Sequence, residues 1–180
     1  MHPHVEAKVI NPETGKMVEV GEIGEVCTRG YPVMLGYWND EENTRKSIDR
    51  NGWMHTGDTG VMDEDGYCTV LGRMGDMIIR GGENIYPKEI EDFLGTHEQV
   101  QDVQVIGVPD DYFGEVVSAW VILKHEATTS EQELREFCKG KIAHFKIPKF
   151  FRFVKHYPLT VTGKVKKNEM RQTEREGKFS

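Results

Sequence analysis

GRMGDMIIRGGENIYPKEIE, residues 72–91, is where the chain changes character. Glycines at 72, 75, 81 and 82 flank the short apolar run MIIR, which reads as a strand, and GGENIYP reads as the glycine turn that follows it. Pro87 then marks a helix start, where a missing N–H leaves no intrahelical bond unmade. Ile90, Phe93 and Leu94 follow at helical spacing and share one face. Strand, glycine turn, proline and amphipathic helix, in that order, open an α+β unit at about Met77.

The pattern continues downstream. VQDVQVIGV and VVSAWVIL read as two core strands. SEQELREFCKGKI carries a capping box in Ser130 and Glu133 and sets Leu134, Phe137, Cys138 and Ile142 on one stripe. KKNEMRQTERE closes the chain as a polar helix. Upstream of Arg73 the texture differs. VEAKVI alternates like a strand, NPETGK is a turn, and GEVCTRG is another brief strand. NDEENTRKS is the one helical candidate there, with Asn39 or Asp40 as its cap. VMDEDGYCTVLGR reads as a hairpin turning at Asp65-Gly66. Strands this short, with so little helix to pack on, read as the end of a larger β-rich subdomain.

The totals bound the function. In 180 residues, 37% hydrophobic and 29% charged fit a globular protein with a real core. A formal net charge of −7 lacks the basic footprint that nucleic-acid capture requires. No apolar run is long enough to span a bilayer. Cys27, Cys68 and Cys138 are far apart and form no C-x-x-C pair, so the spacing indicates neither a disulfide framework nor a zinc motif, and no metal ligand is assigned. A reducing compartment follows as the default.

PLTVTGKVKK, residues 158–167, invites a phosphate-loop reading at Gly163-Lys164. That reading fails: the first glycine of a Walker A loop would fall at Pro158, and Val165 offers no hydroxyl to magnesium. The dinucleotide fingerprint G-x-G-x-x-G is missing as well. Lys164 instead reads as a compact charge on an exposed turn, suited to meeting a phosphate bound elsewhere. Asp58, ending GWMHTGD, is an acceptor-only carboxylate that can take hydrogen bonds from two vicinal sugar hydroxyls.

Four stretches in order, GEVCTRGYPVMLGYW, GWMHTGD, GRMGDMIIRGGENIYPKEIE and PLTVTGKVKK, resemble the motifs of the adenylate-forming (AMP-binding) acyl-CoA synthetases over nearly the whole chain. DMIIRGGENIYP, FCKGKIAHFKIPKF and YPLTVTGK resemble the mitochondrial medium-chain acyl-CoA ligase subgroup. The resemblance implies the end of a large AMP-binding domain, a distorted barrel, over 1–72, a hinge at 73–76 and a small mobile α+β domain over 77–180. It implies a two-step ligase that makes an acyl-adenylate from a fatty acid and ATP, then passes the acyl group to coenzyme A. Asp58 would hold the ribose, Arg73 would support the nucleotide, and Lys164 would stabilise charge at the α-phosphate. Gly81 and Gly82 would line the pantetheine path, and Phe113, Phe145 and Lys149 would lie near the coenzyme's nucleotide.

Two departures qualify the likeness. The pivot position, commonly Asp or Lys, is Gly75, which implies a looser hinge. The family's Ser/Thr/Gly-rich phosphate loop, its glutamate for Mg2+ and most of its acyl pocket do not occur in these residues. They are expected upstream, with the present chain a fragment incapable of turnover alone. The resemblance places the enzyme in the mitochondrial matrix, with the cytoplasm as the alternative. Two other readings stand beside it: an adenylating domain that loads a carrier protein, and a non-catalytic interaction module.

Overall fold

A computed structural model describes residues 3–177. The chain divides into two compact units, Met1–Gly75 and Asp76–Ser180.

The first unit is one antiparallel sheet of β1 (Val5–Ile10), β2 (Ile23–Gly30), β3 (Met54–Met62) and β4 (Cys68–Arg73), paired in chain order. It is open rather than closed into a barrel, so the described residues give four strands of the expected β-rich part and no closure. The helical candidate forms α1 (Glu41–Ser47), and Asp40 is its cap, its Oδ1 accepting the Asn43 N–H at 3.0 Å. The expected hairpin joins β3 to β4, closed by the Asp63 N–H to Tyr67 oxygen bond. Val9, Ile10, Val26 and Cys27 are buried on this sheet.

The second unit begins with a hairpin. β5 (Ile78–Arg80) and β6 (Glu83–Ile85) pair antiparallel through Gly81-Gly82, whose φ values of +58° and +91° are the two left-handed residues of a type I′ turn. GGENIYP is therefore not all turn. Its ENI segment is a strand, because the turn returns Ile85 opposite Ile78, where both are buried. α2 (Pro87–Gly95) starts at the proline and buries Ile90 and Leu94. β7 (Val100–Asp110) and β8 (Gly114–Leu123) form the long central ladder. α3 (Glu131–Cys138) carries the capping box as expected.

β9 (Phe150–Phe153) runs parallel to β8 along Ser118–Val121. Four residues without alternation give no strand signal, and only the waiting edge of β8 makes FFRF one. α4 (Lys167–Glu176) ends at Gly177, φ +63°.

The sheet is covered on both faces. Val117, Ala119 and Val121 of β8 pack with Ile90, Leu94, Leu134 and Cys138 from α2 and α3. Val116 and Trp120 pack with Ile106, Val108, Tyr157 and Met170 on the α4 side. This explains why β8 reads as continuous apolar sequence: a strand covered twice has no polar face to alternate.

Candidate functional site

The register between β2 and β3 builds the first element of the site. Cys27 lies opposite His55 and Glu25 opposite Thr59, so two steps along β2 face four along β3. Thr56, Gly57 and Asp58 take up the excess as a bulge. Gly57 sits at φ +69°, a conformation that excludes most side chains. Glu25, buried on β2, holds the bulge from beneath. Its Oε1 accepts the Gly57 N–H at 3.2 Å and its Oε2 lies 2.8 Å from His55 Nδ1. The Thr56 hydroxyl donates to the Val26 carbonyl at 2.7 Å and accepts the Asp58 N–H at 3.1 Å.

Asp58 is lifted to the rim and meets Arg73, its partner across the β3–β4 ladder, with Arg73 Nε 2.9 Å from Asp58 Oδ1. Both stay open to solvent, with side-chain exposures of 65% for Arg73 and 31% for Asp58. A carboxylate paired with one guanidinium keeps lone pairs for two vicinal hydroxyls.

Lys164 lies in the second unit, on a turn closed by its own threonine. The Thr160 N–H donates to the Lys164 carbonyl at 2.8 Å, and Thr160 Oγ1 accepts the Lys164 N–H at 3.0 Å. Gly163 takes φ +81° between them. The turn is an exposed but hydrogen-bonded hairpin that presents the lysine at a groove of about 750 Å³, shared with Asp76, Gln104, Lys167 and Asn168. Asp76, the first residue after Gly75, is held to α4 by Arg171 at 2.7 Å. Gly75 itself needs no glycine here, since its φ is not left-handed and a Cβ would meet nothing within 4 Å.

Gly81, Phe113, Phe145 and Lys149, expected near coenzyme A from the resemblance, collect at one end of the second sheet around Arg80, which no sequence signal singled out. Its guanidinium lies 4.6 Å from the Phe113 ring centroid, and Nη1 donates to the Phe145 carbonyl at 2.6 Å. Gly81 donates its N–H to the Phe113 carbonyl at 2.8 Å. Lys149 reaches the same corner through Asp110, its Nζ 2.6 Å from Asp110 Oδ2. Asp110 Oδ1 accepts the N–H groups of Tyr112 and Phe113 at 3.0 and 2.9 Å. The Lys149 bond, then the Phe113 amide, hold the Asp110 carboxyl down at about 2.

Among the described residues one group offers metal-type donors: Glu25, Cys27 and His55, their ligand atoms all within 4.8 Å of one another. No described helix is long and apolar enough to cross a membrane.

Residues 1–38 match the AMP-binding enzyme family, and residues 89–164 match the AMP-binding enzyme C-terminal domain. The medium-chain acyl-CoA ligase ACSF2, mitochondrial, of Bos taurus is 54% identical over 170 residues, covering 94% of this chain and 28% of that protein. The putative acyl-CoA synthetase YngI of Bacillus subtilis (strain 168) is also 54% identical over 170 residues, and 31% of it is covered. The chain thus spans about a third of the length of the curated relatives it matches. In structure it is similar to ATP-bound MatB from Rhodopseudomonas palustris, with a TM-score of 0.89 and 41% identity over 97% of this chain and 35% of that one. It is also similar to the o-succinylbenzoate CoA synthetase MenE from Bacillus subtilis in complex with its acyl-adenylate intermediate. There the TM-score is 0.87 at 36% identity, over 94% of this chain and 34% of that one. Matched at both ends by the two parts of one family, and identical at half its positions to acyl-CoA ligases, the chain belongs to the AMP-binding, adenylate-forming acyl-CoA synthetase family.

Proposed function

We propose that the chain supplies the ribose-holding bulge and the lysine-bearing domain of an ATP-dependent ligase that joins a medium-chain fatty acid to coenzyme A through an acyl-adenylate. The observation that carries this reading is the bulge at Asp58, where a buried glutamate and a cross-strand arginine set one carboxylate at the rim. In this reading Asp58 accepts the ribose hydroxyls and Arg73 orients it. Lys164 brings a positive charge to the α-phosphate as the fatty acid's carboxylate attacks and pyrophosphate leaves. The backbone at Gly81-Gly82, without side chains, leaves room for the pantetheine arm. ATP would act with Mg2+. The mitochondrial names of the vertebrate relatives support a matrix enzyme, and the equally similar Bacillus protein supports the cytoplasmic alternative.

The test replaces the matching segment of the Bacillus relative by this chain. Thioester formation is then followed with ATP, Mg2+, coenzyme A and saturated carboxylates from acetate to palmitate. The reading requires thioester formation on coenzyme A and AMP release equal to thioester formed. A folded chimera that releases AMP but loads a carrier-protein thiol in place of coenzyme A would overturn it.

A further inference from the structure

We propose that Glu25, Cys27 and His55 form a binding site for a borderline-soft divalent cation, Zn2+ being the ion their donors suit, and that the bound ion braces the Asp58 bulge. The three side chains meet through the sheet. Glu25 and Cys27 stand two residues apart on β2 and so share a face, and His55 is the direct cross-strand partner of Cys27. Cys27 Sγ lies 3.7 Å from His55 Nδ1, and Glu25 Oε2 lies 2.8 Å from the same nitrogen. Glu25 and Cys27 are buried, while the imidazole is 31% exposed and provides the entry.

One sulfur, one nitrogen and one oxygen donor make a zinc-type set, with a fourth tetrahedral position left for water. Tetrahedral bonds of the usual lengths set such donors about 3.3–3.6 Å apart. The sulfur–nitrogen distance is already close to this. The oxygen–nitrogen distance must open by about half an ångström, which a small rotation of the half-exposed imidazole supplies. Charge balances too, since Zn2+ meets one thiolate and one carboxylate. The Cys27 thiol proton leaves to solvent, and the imidazole binds through Nδ1 with its proton on Nε2.

The Gly57 N–H already holds Glu25 Oε1, so Oε2 is the oxygen left for the ion. A backbone amide fixing a ligating carboxylate is a common outer-shell arrangement of metal sites. Here that amide belongs to the bulge, so the ion tightens the loop next to Asp58. The site stands apart from the ligase reading; only its consequence for a nucleotide rests on that reading.

The experiment uses the whole chain, stripped with chelator and titrated with CoCl2. One equivalent should give a thiolate-to-cobalt charge-transfer band that ZnCl2 abolishes by displacement. Cys27→Ser should remove the band, and His55→Gln should weaken cobalt binding at least about ten-fold. A His2→Ala/His4→Ala control should change neither. No band at saturating cobalt, a band that survives Cys27→Ser, or unchanged affinity in folded His55→Gln would overturn the site. The His55 variant alters a half-exposed side chain, so it remains decisive if the Cys27 variant does not fold. Slower amide exchange at Gly57 with ZnCl2 supports the bracing, and unchanged exchange in the metal-bound chain overturns it. Neither result bears on ligase activity.

Discussion

Arg73 forms an ion pair with Asp58, Nε 2.9 Å from Oδ1, directly across the β3–β4 ladder. The pair is too exposed to matter much for stability; in the proposed reading its value lies in aim. Asp58→Ala should lower kcat/KM for ATP in the chimera by about 100-fold or more while shifting the melting temperature little. Arg73→Lys keeps the charge but loses the planar fork, and should fall between wild type and Arg73→Ala. ATP–pyrophosphate exchange measures both; equal loss of exchange and stability would assign the pair to folding.

Lys164 is exposed, and only its backbone takes part in the turn's hydrogen bonds. Lys164→Ala should therefore leave stability unchanged and slow acyl-adenylate formation by about 100- to 1,000-fold. Thioester formation from supplied acyl-adenylate should change far less. Single-turnover assays of each half-reaction separate the two, and equal losses in both would remove the assigned role.

Gly81 combines φ +58° with a Cβ position 3.3 Å from Phe113 Cδ1. Gly81→Ala should cost about 1–2 kcal/mol. Gly82→Ala meets strain at φ +91° but no neighbour within 4 Å. If the turn lines the pantetheine path, Gly81→Ala raises KM for coenzyme A more than KM for ATP. Urea denaturation and the two KM values check the two halves.

Glu174, 5% exposed on α4, accepts from the Ser118 hydroxyl, Trp120 Nε1 and the Arg152 guanidinium. Glu174→Ala removes the acceptor these three donors share and should destabilise the second unit by about 3 kcal/mol. Glu174→Gln keeps an acceptor and should lose less. Chemical denaturation followed by Trp120 fluorescence in a Trp38→Phe/Trp53→Phe background reads both.

Asp110 gives a pH signature. Its carboxyl is held at about 2 rather than the ordinary 3.8, chiefly by Lys149 and then by the Phe113 amide. A depressed carboxyl contributes stability that is full above the ordinary value and is lost as pH falls through about 2. The difference in unfolding midpoint between wild type and Asp110→Asn should thus be constant above about pH 5 and shrink toward about pH 2. A constant difference across that range would show the carboxylate to be unpaired in solution.

Much of this was legible in the sequence. The capping box at Ser130, the helix start at Pro87 and the Asp65-Gly66 hairpin are local, because each depends on residues within a few positions. FFRF and ENI were not, since each is a strand only because a partner edge stands beside it. Glu25 and Arg80 escaped for the same reason: GEV and IIR carry no motif that shows a carboxylate under Gly57 or a guanidinium over Phe113.

The sequence by itself determined the helices, the long strands and the hairpin turn, the family motifs and the residue types at Asp58, Arg73 and Lys164, because helical stripes, caps and turns are encoded at short range. The tertiary structure alone decided the register. Two steps on β2 facing four on β3 throw Asp58 onto a bulge, seat Glu25 beneath it and bring Cys27 to His55. These contacts join positions about thirty apart, held together by a hydrogen-bonded ladder that no local pattern records.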